Sequence, residues 1–250
     1  MTTTSRAHSF NAAAAAYAAN RPSYPPALLD AVEELAGRPL AGARVADVGA
    51  GTGIATALLH ERGARIVAVE PGDGMTEQFR RTLPGVPVVR GDGNNLPLAD
   101  ASADFVTYAQ AWHWTDPARS VPEAMRVLRP GGALALWWNV ADRDVGWVAD
   151  QTSRIRRFFG HADIALGAHG TAGRTRDAGD LDFAGRTVPW TREVPLDTHL
   201  ANLASHSVFL VAGDETTGKF IDEERAALTE VFPQGVVREA YVVELCVAVR

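Results

Sequence analysis

The sequence predicts an α/β protein on a doubly wound, mostly parallel sheet, and three observations carry that expectation. Strand and helix patterns alternate from about residue 43 to residue 139, which calls for a parallel sheet covered on both faces. The apolar strand Val45–Val48 runs directly into Gly49-Ala50-Gly51-Thr52-Gly53, a turn whose glycines let the backbone reverse and approach a ligand closely. The next apolar run, Ile66–Val69, closes on an acid, Glu70. A chain of 250 residues holds one substantial core, so a single domain spanning 1–250 with a cap is the economical reading.

Residues 1–9 are polar, and an Ala-rich helix is expected at about 10–19, followed by a turn at Pro22, Pro25 and Pro26. Leu28, Val32 and Leu35 fall on one face of an amphipathic helix from about Ala27 to Ala36. Together, residues 1–40 form an N-terminal helical lid. The cofactor-binding core, 41–140, has strands near 43–48, 65–70, 86–90, 103–108 and 133–139, with helices near 54–62, 74–82 and 118–128. The pattern breaks at 141–235, which is assigned to a substrate cap: a helix near 144–159, an irregular stretch from Gly160 to Gly179, a strand near 186–194, and helices near 197–205 and 222–232. Pro233-Gln234-Gly235 marks a turn before the last strand, assigned to 236–250.

Ligands of such sheets bind at the carboxyl ends of the strands, beside the point where strand order reverses. The loops 49–53, 70–75, 91–95 and 109–116 are therefore expected to line one crevice. Glu70 is placed to accept hydrogen bonds from both hydroxyls of a ribose. The glycine spacing is Gly-x-Gly-x-Gly rather than the Gly-x-Gly-x-x-Gly of dinucleotide sites. Asp47, two residues before the first glycine, would repel a phosphate but suits a cationic amino-acid head group. The nucleoside that carries such a group is S-adenosylmethionine. A nicotinamide-dependent dehydrogenase is further disfavoured because the residue four before the only lysine, Lys219, is Glu215 and not tyrosine.

With those residues in view, the chain resembles the class I S-adenosylmethionine-dependent methyltransferases. Val45 to Gly53 is similar to their first motif, Glu70 to the acid of the second strand, Gly91 to Pro97 to the adenine loop, and Arg126 to Gly132 to the turn before the fifth strand. Tyr17 to Pro25 and Ala109 to Asp116 resemble the branch that contains trans-aconitate methyltransferase and many small-molecule enzymes. The resemblance implies a Rossmann-like sheet of seven strands, mostly parallel with one antiparallel strand, plus a helical cap. Either Val236–Val249 or the 186–194 strand would supply the antiparallel member.

The resemblance also implies site roles. Gly49, Ala50 and Gly51 would face the cofactor, Asp47 would meet its methionine-like head or merely support the turn, and Glu70 would hold the ribose. Asp92, with the Gly93 backbone and Asn94, would meet the adenine, unless Asp92 only shapes a tight turn. Pro71 and Met75 are placed to pack on the adenine faces. Tyr17 would cover the methionyl moiety, and Arg21 would pair with a carboxylate or cap the preceding helix. Gln110 would position the cofactor or its loop, while Trp112 offers an aromatic wall to the sulfonium. His113 is the candidate general base, with loop ordering as the alternative and the expected role. Trp137, Trp138 and Asn139 are candidates for the floor of a substrate pocket.

The reading that follows is methyl transfer from S-adenosylmethionine to a small molecule, a carboxylate or secondary metabolite, with S-adenosylhomocysteine as the product. The alternative is a protein of the same fold that binds this cofactor without methyl transfer, as a cyclase or a complex partner. Net charge is −6 and the basic residues are scattered, so no nucleic-acid path is expected. His161, His169, His199 and His206 lack metal-site spacing, and no metal is expected. Cys246, the only cysteine, lies in an apolar run and reads as buried. No apolar stretch reaches membrane-spanning length, so a cytoplasmic protein is expected. Nothing in the sequence specifies an oligomeric state.

Overall fold

The structure, a computed structural model, describes residues 20–160, 178 and 181–250. Seven strands form one sheet: β1 (Arg44–Val48), β2 (Arg65–Glu70), β3 (Val88–Arg90), β4 (Ala103–Ala109), β5 (Leu128–Ala141), β6 (Ala184–Pro195) and β7 (Val236–Val249). Their order is β3-β2-β1-β4-β5-β7-β6. The first five pair in parallel, and β7 runs antiparallel to both β5 and β6. The antiparallel member is thus Val236–Val249. Order reverses between β1 and β4, which fixes the crevice above their carboxyl ends.

Eight α-helices are described: α1 (Pro26–Ala36), α2 (Ile54–Glu61), α3 (Asp73–Thr82), α4 (Pro117–Val127), α5 (Gly146–Phe159), α6 (Leu196–Ala204), α7 (Ser207–Ala212) and α8 (Asp214–Val231). Side chains alternate along each strand, and each sheet face owns a core. On one face Val45, Ala68, Phe105, Ala135, Trp137 and Leu245 pack with Leu28 and Val32 of α1, Leu59 of α2 and Phe79 of α3. On the other, Val48, Val106, Tyr108, Leu136, Trp138 and Cys246 pack with Ala124 and Val127 of α4. Both faces are covered, as near-continuous apolar strands demand. Cys246 is buried there.

The helices beyond β5 have small cores of their own, Ile155–Leu203–Phe209–Phe220 and Leu196–Leu200–Leu228–Val237. This is the helical cap. It departs from the sequence reading in two places. α8 begins eight residues ahead of the expected 222, because Gly213 at φ 83° ends the preceding segment and Asp214 and Glu215 favour a helix start. The short α7 was not anticipated: Val208 to Val211 has no polar face of its own, and only Phe209 entering the helical core makes it a helix. Of the turn expected at Arg126–Gly132, Arg126 and Val127 end α4 and the rest is an irregularity inside β5, where pairing passes from Ala103–Leu128 to Phe105–Ala133 and Gly131 takes φ 72°. The expected helix at 10–19 and most of the stretch 160–179 lie outside the described residues. Among the described residues, no helix is long and apolar enough to cross a membrane.

Candidate functional site

Strand register builds the floor of the crevice. Asp47 on β1 pairs with Thr107 on β4, so their side chains share a face. Thr107 donates its hydroxyl to Asp47 Oδ1 at 2.8 Å, and Thr56 on α2 donates to Oδ2 at 2.6 Å. Asp47 has no exposed surface. Burial pushes its carboxyl up to about 6, and the two hydroxyl bonds offset only part of that. Thr107 and Thr56 escaped the sequence reading, although Thr107 is a lone threonine in the apolar run Phe105–Ala109, which is a usable signal.

Above Asp47 the glycine turn folds over the end of β2. Gly49 and Ala50 donate backbone N–H groups to Val69 O at 2.8 and 3.2 Å. Glu70 is 7% exposed and accepts from Gly51 N at 2.9 Å through Oε2 and from Gly72 N at 2.8 Å through Oε1. Burial raises its carboxyl, while those two N–H groups and the Arg90 charge pull it back down. Two backbone bonds leave each oxygen a lone pair for a ligand. Gly51 sits at φ 58°, and a Cβ there would meet nothing within 4 Å. At Gly49, by contrast, a Cβ would lie 2.5 Å from that of Ala111, so glycine there lets the turn meet the loop after β4.

That loop is tied to β5. Gln110 adopts φ 58°, rare for a non-glycine residue. Its backbone N–H donates to Trp137 O and its Nε2 to Asn139 O, each at 2.9 Å. His113 is exposed, and its Nδ1 accepts from Trp138 Nε1 at 3.3 Å. Indole N–H is only a donor, so the Nδ1 lone pair is engaged and the neutral ring carries its proton on Nε2. A ring in that tautomer has no free basic nitrogen. Trp112 is 2% exposed and packs edge-on against Tyr108 at 4.9 Å. Contrary to the aromatic wall expected of it, Trp112 lies in the core beneath the loop, because Tyr108, Leu136 and Trp138 supply an apolar bed there.

The loop at 91–95 is an Asx turn: Asp92 Oδ1 accepts from Asn94 N at 2.7 Å. Asn94 Oδ1 in turn accepts from the backbone of Asp116 at 2.7 Å, tying this loop to the start of α4. A Cβ on Gly93 would sit 2.8 Å from Thr115 Cγ2 and 2.9 Å from Tyr108 Cε1, so neighbouring side chains already demand glycine there. Met75 is buried in the first turn of α3 and Pro71 half-buried just before it. Arg21 donates to Ser205 O at 3.2 Å and meets His206 Nε2 at 3.3 Å, reaching the end of α6 in the cap. Tyr17 lies outside the described residues. Asp47, Gly49, Ala50, Gly51, Glu70, Gln110 and the 91–95 loop thus meet at one end of the sheet.

Residues 46–136 match a family model described as "Methyltransferase domain". An uncharacterized methyltransferase of Mycobacterium tuberculosis is 49% identical over 149 residues, 60% of this chain and 59% of that protein. A demethylmenaquinone methyltransferase of Clavibacter sepedonicus is 39% identical over 102 residues, 39% of this chain and 42% of that protein. The chain therefore spans less than two thirds of the length of these relatives. Among solved structures, a candidate type II methyltransferase from Anaeromyxobacter dehalogenans superposes with a TM-score of 0.63 at 23% identity, covering 92% of this chain and 97% of that one. That likeness extends the shared fold past the matched domain into the cap.

Proposed function

We propose that this protein transfers a methyl group from S-adenosylmethionine to a small molecule. The observation that carries the reading is the Glu70 carboxylate, held by Gly51 N–H and Gly72 N–H at the end of β2 beside the open space over Gly51. The residues fit the cofactor: an acceptor for two ribose hydroxyls, a buried acid beneath the turn for a cationic head, and the turn at 91–95 for a base. When bound, the cofactor supplies an electrophilic methyl on a sulfonium.

What this chain does is position and shield. Glu70 fixes the ribose, and its own orientation is set in advance by two backbone donors, which lowers the ordering cost of binding. Asp47 supplies negative potential below the glycine turn. Gln110, pinned to β5 at both its backbone and its side chain, sets the distance between the β4 loop and the acceptor side. Alignment and exclusion of water are the main requirements of such a displacement. His113 is read as an ordering residue. Residues 141–235 are read as the cap over the acceptor, and the resemblance of 17–25 and 109–116 to the small-molecule branch supports an acceptor of that size.

The test is formation of S-adenosylhomocysteine from S-adenosylmethionine in the presence of a small-molecule extract, with calorimetric titration of the cofactor. Glu70→Ala is expected to weaken binding by about 1–3 kcal/mol, since two ribose hydroxyls lose their acceptor. An unchanged dissociation constant removes Glu70 from the site.

A further inference from the structure

We propose, resting on the methyltransferase reading above, that Asn139 Nδ2 and Trp137 Nε1 form a donor pair that receives a planar, unprotonated oxygen of the methyl acceptor, the oxygen of a carboxylate or a ketone. The two residues lie two apart on β5, so they share the sheet face that carries α1. Trp190 Nε1 on β6 donates to Asn139 Oδ1 at 2.9 Å. Because an indole nitrogen only donates, this contact fixes which end of the Asn139 amide is oxygen. Nδ2 therefore faces the other way, with two protons to give. It is buried and, among the described residues, has no hydrogen-bond partner, and the same holds for Trp137 Nε1, on a residue only 1% exposed.

Unmet buried donors are uncommon and call for an explanation. Local rearrangement does not relieve these two. The carbonyls of both residues are already bonded to Gln110, which holds the end of β5 against β4. Trp190 is fixed by stacking on Tyr241, with ring centroids 5.2 Å apart at 25°. Tyr24 meets Trp137 edge-on at 6.1 Å and closes the N-terminal side. Backbone strain of the Gln110 kind gathers at functional sites. Two neutral donors select a ligand that accepts hydrogen bonds and offer nothing to an ammonium or a hydrocarbon. The pair lies toward the carboxyl end of β5, where Trp137 is paired with Ala109 just before the β4 loop.

The experiment titrates benzoate, acetophenone and toluene into the protein saturated with S-adenosylhomocysteine. Proton–nitrogen spectra report the Trp137 indole N–H, assigned by its loss in Trp137→Phe, and the Asn139 amide, assigned by its loss in Asn139→Asp. Benzoate or acetophenone is expected to shift both resonances saturably while toluene shifts neither, and whichever of the two acts separates a carboxylate from a ketone. Asn139→Asp keeps an oxygen toward Trp190, so the Trp190 indole resonance should persist as proof of folding. It should weaken binding of the active probe at least tenfold and leave S-adenosylhomocysteine affinity within twofold. The proposal is overturned if neither oxygen probe shifts the pair, if toluene binds as well, if Asn139→Asp binds the probe unchanged, or if S-adenosylhomocysteine alone saturates both resonances. If S-adenosylhomocysteine itself fails to bind, the methyltransferase reading has failed, and the same probes titrated into the ligand-free protein still decide the donor pair.

Discussion

Asp47 shows how one residue serves both the fold and the site. Its carboxyl is held up to about 6 by burial, against 3.8 in water, so between those values the folded protein binds more protons than the unfolded chain. The sign follows: this group's contribution to stability is lost as pH rises from about 4 to about 6. Asp47→Asn should therefore lower the unfolding free energy at pH 4.5 relative to that at pH 7 by about 2 kcal/mol. Urea titrations of both proteins at the two pH values check this, and an identical difference would rule out a raised carboxyl. The Glu70 carboxyl is raised too, chiefly by burial and in smaller part by the Asp47 charge, so a minor share of the change passes through Glu70. His113 gives a second prediction at this scale. With Nδ1 accepting from Trp138, His113→Ala should lower acceptor or cofactor affinity and rate together while leaving the pH–rate profile of single turnovers in place. Loss of a limb near neutrality, with a rate drop of roughly 10²–10⁴-fold at intact affinity, would instead make it a base.

Among the elements, the cap owes its docking to buried polar contacts that no periodicity reveals. Glu224 on α8 is fully buried, and Arg154 on α5 donates to both its oxygens at 2.6 and 2.7 Å. Gln151 on α5 donates to Glu224 at 3.0 Å and lies 2.8 Å from His199 Nε2 on α6. Since Gln151 offers its N–H₂ there, His199 accepts at Nε2 and donates from Nδ1 to Glu239 Oε1 on β7 at 2.7 Å. Removing one partner of a buried pair leaves a charge without compensation. Arg154→Met is therefore expected to destabilise by about 3 kcal/mol, and Glu224→Gln by less, because the neutral amide still accepts from Arg154. Equal losses in urea unfolding would show that packing, and not the stranded charge, governs this contact.

For the molecule as a whole, the crevice should link ligand binding to global stability. S-adenosylhomocysteine at 100 times its dissociation constant should raise the unfolding free energy by about 2.7 kcal/mol. Gly51→Val places a branched side chain in the space over the turn, at φ 58°, so the variant should start from a lower baseline and gain nothing from the ligand. The increment, read by unfolding with and without ligand, separates the two effects. A retained increment would show that the ligand does not pass over Gly51.

The sheet was legible in the chain because its determinants are local. Apolar runs of strand length ending in Gly49–Gly53 and in Glu70, and helical faces such as Leu28, Val32 and Leu35, are set by neighbours in sequence. Position at or beside a strand end likewise singles out Asp47, Glu70 and Gln110. What only tertiary structure decided are the pairings across long separations. Thr107 meets Asp47 through strand register across 60 residues, Trp138 engages His113 across 25, and Trp190 orients Asn139 across 51. Trp112 turned inward for the same reason, since an apolar bed beneath the loop exists only once the sheet is assembled. Which of the two late strands runs antiparallel was settled by β7 inserting between β5 and β6. A sequence specifies its elements through periodicity and turn chemistry, whereas proton positions, amide orientation and burial depend on what distant segments bring to the same place.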